Sequence, residues 1–209
     1  MTSEESLSPD WPVETSRLTL RPFVDGDFDA MHAMRSDAEV ARYLYGEVLS
    51  PEQTRNLLAQ KMAAPAWTRE GEWLSVAAVE RESALTVGDV SMRWVSERDG
   101  TAEIGFIFDP RHQGKGFATE AARRLLDWAF GSGGLHRVIG RTEARNTASA
   151  RVLEKLGMRL EAHFVENEWV KGEWQSELLY AILDHEWTGQ GGFPSRLRRS
   201  RRRARGGSR

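Results

Sequence analysis

The sequence predicts a single α/β domain, with a mixed but mostly antiparallel central sheet flanked by helices. Two observations predict this fold class. Three strand-like segments follow one another without an intervening helix, which is typical of an antiparallel meander. A strand, a glycine-containing loop, a long amphipathic helix and another strand come next, which is typical of a crossover between parallel neighbours. The predicted domain covers residues 15–187.

The segments before the meander have one strand pattern and two helix patterns. Arg17–Phe23 alternates polar and apolar residues, which predicts a first strand, and Asp25–Leu44 has apolar residues at helical spacing. Residues 50–53 combine an N-cap serine, a proline at the first helical position and a capping-box glutamine. They predict a helix that begins after Ser50 and ends near Ala63.

The meander consists of three segments rich in strand-forming residues. They are Trp73–Val79, Leu85–Val95 and Thr101–Asp109. Gly88 interrupts the second segment and indicates a bulge. Arg98-Asp99-Gly100 is a good turn for a hairpin between the second and third segments.

The second half has two helices and three strands. Ala and Leu side chains form one apolar stripe on the longer helix, and glycines follow both helices, as is common at helix ends. The expected elements are helix Phe117–Phe130, strand His136–Glu143, helix Thr147–Leu156 with Gly157 as its cap, and strands Arg159–Val165 and Glu177–Leu183. Trp169–Glu173 is expected in the connection between the last two strands.

The charges divide the chain into an acidic body and a basic tail. The chain has 29 basic and 31 acidic residues and a formal net charge of −2. Eight arginines and no acidic residue lie in residues 196–209, which leaves 21 basic and 31 acidic residues in 1–195. We interpret residues 188–209 as a disordered Arg-rich tail and residues 1–14 as a flexible leader.

Several classes of protein are excluded by composition. The chain has no cysteine, which excludes disulfides, a thiolate nucleophile and cysteine-bound zinc. Its five histidines lack metal-ligand spacing, so we expect no metal. No apolar run approaches the roughly 20 residues that cross a bilayer, and residues 1–10 do not resemble a signal peptide. We therefore expect a cytoplasmic protein without a membrane partner.

The most informative stretch is the loop at residues 109–118. Gly114 and Gly116 lie between a strand and a long helix, so the backbone N–H groups and the helix N-terminus can bind a phosphate or pyrophosphate. Arg111 and Lys115 add positive charge. The P-loop pattern is absent, and Thr119 occupies the place of the third small residue of a dinucleotide fingerprint. A turn whose glycines satisfy only backbone geometry is the alternative.

The loop resembles the cofactor loop of the GCN5-related N-acetyltransferase (GNAT) superfamily, Q/R-x-x-G-x-G/A, which Arg111, Gly114 and Gly116 match in order. The chain is also similar to the RimJ/RimL branch of ribosomal-protein N-terminal acetyltransferases. That similarity rests on Thr15–Pro22, on N-x-x-S-x-x-x-x-x-x-L-G from Asn146 to Gly157, and on a final strand followed by Glu-Trp.

The resemblance implies acetyl-CoA as co-substrate. Its pyrophosphate would lie on the loop, its pantetheine arm along the preceding strand, and its thioester near Asn146 and Ser149. The implied cofactor-binding residues are Phe106, Ile107, Phe108, Arg111, Gln113, Gly114, Lys115, Gly116, Phe117, Ala118, Thr119, Asn146 and Ser149.

Glu103 is our candidate general base. It lies on the strand before the loop, on the face shared with Gly105 and Ile107, and family members often have a glutamate here. A solvated glutamate on an open sheet face is the alternative. Ser149 is the second catalytic candidate, with a positioning or proton-donating role, and Asn146 would also cap the following helix.

The usual general acid of the superfamily is missing. Many members carry a tyrosine seven residues after the asparagine, and this chain has Leu153 there. Ser149, Tyr180 or water would then protonate the thiolate, or the thiolate would leave without an acid. We favour a packing role for Tyr180, with its hydroxyl bound to backbone.

The acceptor of the acetyl group is expected to be an amine. Met31–Ser50 and the connection around Glu166–Glu173 would bound its cleft, with Tyr43, Tyr45 and Trp169 as walls and Glu166 or Glu168 attracting a cation.

Three functions remain open from the sequence. The first is N-acetylation of a protein or peptide α-amine. The second is N-acetylation of a small amine such as an aminoglycoside, polyamine or amino acid. The third is a non-catalytic acyl-CoA-binding or RNA-associated module. The Arg-rich tail would bind ribosomal RNA phosphates, or be a solvated terminus. We expect a monomer or homodimer.

Overall fold

The computed structural model describes residues 6–188, in which eight strands form one mixed sheet with helices on both faces. The strands are β1 (Val13–Glu14), β2 (Leu18–Arg21), β3 (Trp73–Glu80), β4 (Thr86–Ser96), β5 (Thr101–Phe108), β6 (Arg137–Glu143), β7 (Arg159–Val170) and β8 (Glu173–Leu183). The helices are α1 (Phe28–Arg35), α2 (Ala38–Ala41), α3 (Pro51–Met62), α4 (Phe117–Phe130) and α5 (Thr147–Lys155), with 3-10 turns at Asp25–Asp27 and Pro110–His112.

The strand order β1-β2-β3-β4-β5-β6-β8-β7 confirms the predicted fold class. Strands β2 to β5 form the antiparallel meander. Strands β5 and β6 form the one parallel pair within residues 6–188, and α4 connects them. The register shifts beside Gly88, because Ala78 pairs with Gly88 while Val79 pairs with Thr86, so the expected bulge is present.

Strands β5 and β6 separate after a short paired segment. Thr101–Ile104 pairs with Arg137–Gly140, and within residues 6–188 no pairing between the two strands continues beyond Ile104. The next residues of β5, Gly105–Phe108, are paired with β4 on their other side. Their edge toward β6 is therefore free to bind an extended ligand.

The start of α3 has the predicted caps, whereas the predicted helix over Asp25–Leu44 is interrupted. At α3, the Ser50 hydroxyl accepts a hydrogen bond from the Gln53 N–H (3.2 Å), and the Gln53 side chain accepts one from the Ser50 N–H (2.8 Å). The predicted helix over Asp25–Leu44 is divided into a 3-10 turn, α1 and α2. The division follows from Asp37, whose carboxylate accepts from the Glu39 N–H at 2.7 Å and begins a new helix.

The two faces of the sheet have different helices and different cores. The larger core lies under α4 and α5 and includes Leu125, Leu126 and Leu153. A smaller cluster under α1 and α3 contains Met31 and Leu58. Among residues 6–188, no helix has the length and apolarity that a membrane crossing requires.

The last hairpin is longer than predicted. Trp169–Glu173 was expected in a connection, and this expectation is wrong, because β7 continues to Val170 and β8 begins at Glu173. The turn is made by Lys171 and Gly172, both at positive φ (51° and 80°). A register break between Phe164 and Glu168 interrupts the alternation of polar and apolar residues, so the sequence does not indicate one long strand.

The structure describes most of the segment before the domain, residues 6–14, but only Thr188 of the segment after it. Within the expected leader, Leu7 exchanges two backbone hydrogen bonds with Trp67 (2.7 and 2.8 Å), and Val13–Glu14 pairs with β2. Residues 6–14 are therefore attached to the domain rather than free. The expected disordered tail, apart from its first residue Thr188, lies outside the described residues.

Candidate active site

A cleft of about 260 Å³ opens where β5 and β6 separate, on the face of the sheet that carries α1 and α3. Its floor includes Asp89 and Ser91 of β4 and Glu103 and Gly105 of β5. Residues from the segment after α2, the end of β6, the start of α5 and the β7–β8 hairpin complete its walls.

The glycine loop has the backbone geometry expected of a phosphate site. Gly114 and Gly116 have φ values of +75° and +85°, a conformation that favours glycine. A Cβ at Gly114 would meet no atom of residues 6–188 within 4 Å, so the space beside Gly114 is open. Phe117 is buried at the start of α4, whose N-cap Gly116 has no side chain to cap the first N–H groups.

Hydrogen bonds and an ion pair that no local sequence pattern predicted connect the glycine loop to residues 15–17. The Glu120 carboxylate accepts hydrogen bonds from the hydroxyls of Thr15 (2.6 Å) and Ser16 (2.9 Å) and from the Arg17 backbone N–H (2.8 Å). The Arg17 guanidinium also binds Glu120 (2.6 Å) and donates to the Lys115 carbonyl (2.8 Å). The Thr15–Arg17 part of the N-terminal motif thus positions the loop.

The other polar residues of the loop have mixed environments. Arg111 is exposed and forms an ion pair with Asp109 at 2.5 Å, so its charge is partly offset. Gln113 donates from its side chain to the Phe108 carbonyl at 3.0 Å, and Lys115 is exposed. Ala118 and Thr119 are half-buried in the first turn of α4.

Glu103 faces the cleft together with Gly105 and Ile107, as the strand alternation predicts. Its carboxylate has no hydrogen-bond partner in the described part of the chain. Burial raises the pKa of Glu103, and this effect exceeds the attraction of Arg141 and Arg93, which lowers it. The carboxylate is thus available to accept a proton.

Asn146 and Ser149 lie at the start of α5 and line the same cleft. The Asn146 side-chain oxygen accepts a hydrogen bond from the Ser149 backbone N–H at 3.1 Å, which is the predicted N-cap. The cap fixes the first turn of the helix and leaves the Ser149 hydroxyl without a protein partner among residues 6–188.

Leu153, which replaces the usual general acid, and Tyr180, which could have taken its place, both pack in the core. Leu153 is buried and lies over Gly140, where a Cβ would come within 2.6 Å of a Leu153 methyl group. Tyr180 is buried in the same core, and its hydroxyl donates to the Glu154 carboxylate (3.1 Å) rather than to backbone. Tyr180 does not line the cleft.

The expected acceptor residues divide into two groups. Tyr43, Tyr45 and Glu168 line the cleft. Desolvation of the hydroxyl, followed by its hydrogen bond with Glu168, raises the pKa of Tyr45, so the hydroxyl remains protonated. Trp169 and Glu166 do not line the cleft, and Trp169 packs edge-on against Trp174 with ring centroids 5.4 Å apart.

Sequence reasoning missed several charged residues of the cleft. Glu177 is 5% exposed and accepts a hydrogen bond from Arg141 at 2.9 Å. Burial raises the pKa of Glu177 even though Arg141 lowers it. Asp89 and Arg35 line the other side. Only the register of several strands brings these residues together, so no local pattern indicates them.

The cleft combines three chemical features. The free edge of β5 suits an extended ligand, the glycine loop at the end of that strand suits its phosphates, and Glu103 can accept a proton between them. Within residues 6–188, no group of three or more histidine, aspartate or glutamate side chains is arranged to hold a metal ion.

Comparison with known proteins agrees with this arrangement. The family description "Acetyltransferase (GNAT) domain" matches residues 17–159. An uncharacterized N-acetyltransferase of Bacillus subtilis, YnaD, is 32% identical over 84% of this chain and 98% of its own.

Two solved structures share the fold. An acetyltransferase (GNAT family) from Bacillus anthracis has a TM-score of 0.76 and 33% identity, covering 83% of this chain and 99% of its own. Spermidine N-acetyltransferase from Vibrio cholerae, in complex with CoA and spermine, has a TM-score of 0.69 and 24% identity, covering 82% of this chain and 98% of its own. The chain therefore belongs to the GNAT acetyltransferases, and it is an acyltransferase that uses acetyl-CoA.

Proposed function

We propose that this enzyme acetylates the N-terminal α-amine of a protein or peptide, as the ribosomal-protein acetyltransferases of the RimJ/RimL branch do. The observation that carries the proposal is the carboxylate of Glu103, which has no hydrogen-bond partner within residues 6–188 and faces the gap between β5 and β6. A base in this position can take the proton of an amine that enters the cleft from the acceptor side.

The residues present fit acetyl-CoA. The backbone of Phe106–Phe108 has no strand partner on the β6 side within the described residues, so it can pair with the amides of the pantetheine arm. The N–H groups of Gly114–Ala118 and the N-terminus of α4 suit the pyrophosphate, whereas the Gln113 N–H donates to the Pro110 carbonyl at 3.2 Å. We assign Lys115 to the phosphates, and Arg111 to the same role after its ion pair with Asp109 opens. When bound, acetyl-CoA supplies the acetyl group as a thioester.

The chain acts by general base catalysis in a ternary complex. The sequence has no cysteine, so no thiol can carry the acetyl group between the two substrates. Glu103 accepts the proton of the attacking amine. Its raised pKa makes it a stronger base than an exposed glutamate.

We assign Ser149 to the side of the leaving group. Its hydroxyl lines the cleft at the start of α5, where an O–H can donate to a departing thiolate. Asn146 holds this turn through its hydrogen bond to the Ser149 N–H. Tyr180 is excluded from this role by its burial and its bond to Glu154.

The pairing of charges favours an acceptor with one positive charge near the base. Among the cleft carboxylates that the structure describes, three have cationic partners: Asp89 binds Lys61, Glu143 binds Arg145, and Glu177 binds Arg141. Glu103 and Glu168 have no ion pair within residues 6–188. The ammonium of an α-amine can approach these two carboxylates without opening an ion pair of the protein.

A small polyamine is the second candidate acceptor. Of the residues that the structure describes, five with carboxylates and two with guanidinium groups, Arg35 and Arg141, line the cleft. The sum of these charges is negative. One protein with this fold is a spermidine N-acetyltransferase, solved with spermine. In this case the ion pairs of the cleft would open to bind a polycation.

An acceptor panel distinguishes the two candidates. Release of CoA thiol is measured with acetyl-CoA and either unblocked peptides without lysine, the same peptides with a blocked α-amine, or spermidine and spermine. We expect unblocked peptides to give at least a tenfold higher kcat/KM than the polyamines, because a polycation would have to open the ion pairs of Asp89, Glu143 and Glu177, whereas an α-amine would not. Equal rates with blocked and unblocked peptides, or a preference for polyamines, would refute the α-amine assignment.

The proposed setting is the cytoplasm, next to the ribosome. Residues 196–209 contain eight arginines and no acidic residue, a composition that binds RNA phosphates in a salt-dependent manner. Such binding would bring the cleft close to the N-termini of ribosomal proteins.

A further inference from the structure

Asp89 is a buried carboxylate at the edge of the cleft, and one of its oxygens accepts no hydrogen bond within residues 6–188. The residue is 4% exposed and lines the cleft. Its Oδ2 atom binds the Lys61 ammonium at 2.6 Å and the Arg35 guanidinium at 3.3 Å. Its Oδ1 atom is buried and has no hydrogen-bond partner among residues 6–188. Buried polar atoms in folded proteins nearly always have a hydrogen-bond partner, so we expect a bound ligand to donate a hydrogen bond to this oxygen.

The charges around Asp89 select the kind of donor. Lys61 is itself buried, at 8% exposed, and also donates to the Ser75 hydroxyl at 3.4 Å. With Lys61 and Arg35 both on one carboxylate, the local sum of charges is +1. A further ammonium would be repelled by the two cations, whereas an uncharged N–H group would satisfy Oδ1 without that cost.

Arg35 adds the complementary feature. It lines the cleft, and Asp89 is the partner of its side chain among the described residues. A guanidinium has five N–H donors, so Arg35 keeps donors for a ligand. One free acceptor and several free donors side by side match the N–H and C=O groups of an amide.

We propose that Asp89 and Arg35 form a subsite for a backbone amide of the peptide acceptor, with Asp89 Oδ1 accepting its N–H and Arg35 donating to its carbonyl. The proposal rests on the proposed α-amine acceptor and adds to it a means of recognising the peptide chain. It makes Asp89 a specificity residue rather than a catalytic one.

The spacing along the sheet indicates which part of a peptide would reach the subsite. Asp89 pairs with Ile107 and Arg93 pairs with Glu103, so Asp89 lies four residues along the strands from Glu103. Four residues span about 13 Å at the rise of a strand. A peptide with its α-amine near Glu103 would reach Asp89 within its first four residues.

The test replaces single peptide bonds of the acceptor by esters. A hexapeptide without lysine and its analogues, with an ester at each of the first four bonds, are compared with acetyl-CoA and the wild-type enzyme. An ester at the fifth bond is the control. We expect one ester among the first four to lower kcat/KM about tenfold to a hundredfold, as for a hydrogen bond to a charged group, with the acetyl-CoA KM unchanged.

A protein variant connects the effect to Asp89. The double variant Lys61→Met, Asp89→Leu removes both members of the buried Lys61–Asp89 pair. The guanidinium of Arg35 then loses its partner, but its side chain is 17% exposed and lines the cleft, so water can solvate it. We expect the penalty of the sensitive ester to fall below about threefold in this variant. A penalty of the wild-type size there would show that another group reads the amide and would overturn the proposal.

Two further outcomes separate this inference from the proposed function. If the all-amide peptide is acetylated but no ester lowers kcat/KM more than about threefold, the proposed subsite is wrong and the acceptor assignment stands. If no peptide is acetylated and polyamines are, the acceptor assignment fails first. Loss of polyamine turnover in the double variant would then identify Asp89 as an ammonium site, contrary to our proposal.

Discussion

Glu103→Gln is expected to lower kcat about 10²- to 10⁴-fold, the usual contribution of a positioned general base, while leaving acetyl-CoA affinity unchanged. Glutamine has the same shape but cannot accept the proton of the amine. The affinity should persist because Glu103 lies before the free part of β5 and apart from the glycine loop. Steady-state CoA release gives kcat, and isothermal titration gives the affinity.

The pH profile supplies a second readout for the same residue. The pKa of Glu103 is raised by burial, so its basic form is lost as pH falls through a value above that of an exposed glutamate. Protonation of the acceptor amine lowers kcat/KM on the acid side in any variant. The wild-type enzyme should have a further acid-side decline from Glu103, and this further decline should be absent in Glu103→Gln. The control is Glu82→Gln, an exposed glutamate in the turn after β3, which should leave kcat unchanged. Wild-type turnover in Glu103→Gln would remove the residue from the mechanism.

Asp27→Ala is expected to reduce the free energy of unfolding by about 3–5 kcal/mol, the typical cost of breaking a buried ion pair. Asp27 is 2% exposed and binds the Arg21 guanidinium through both oxygens, at 2.7 and 2.8 Å. It also accepts from the Val24 N–H (2.9 Å) and the Thr86 hydroxyl (2.5 Å). Alanine would leave these donors without their acceptor. Urea denaturation measures the loss.

The same network makes stability depend on pH. Burial alone would raise the pKa of Asp27, but the hydrogen bonds from Arg21, Thr86 and Val24 outweigh it and lower the pKa. The stabilisation is therefore present above the pKa of an unfolded aspartate and is lost as pH falls through the lower folded value. Asp25→Ala, at an exposed neighbour, should change stability by less than about 0.5 kcal/mol. A loss below about 1 kcal/mol for Asp27→Ala would contradict a structural role of the pair.

Local patterns predicted most of the fold. The Ser50 capping box and the apolar stripe of α4 are each contained in a few consecutive residues. The β7–β8 hairpin was predicted too short because its alternation is interrupted by the register break near Phe164 and because aromatic residues such as Trp169 and Trp174 are exposed on it. A sequence pattern alone cannot distinguish an exposed strand of this kind from a loop.

The candidate site was predicted where it lies on one segment and missed where it does not. The glycine loop and Glu103 are adjacent in sequence, so spacing and resemblance found them. Glu177 approaches Glu103 and Arg141 only through the pairing of β8 with β6 and of β6 with β5. Glu120 was missed for a related reason, because its partners Thr15 and Arg17 are more than a hundred residues away.

Direct attack by an α-amine on bound acetyl-CoA, assisted by Glu103, is tested most directly by an initial-rate study of CoA release over a grid of acetyl-CoA and peptide concentrations, with mass spectrometry of the peptide. Direct attack in a ternary complex predicts intersecting double-reciprocal lines and one acetyl group, on the α-amine, for each CoA released. Parallel lines with an acetylated enzyme, or no CoA release with any amine, would contradict it.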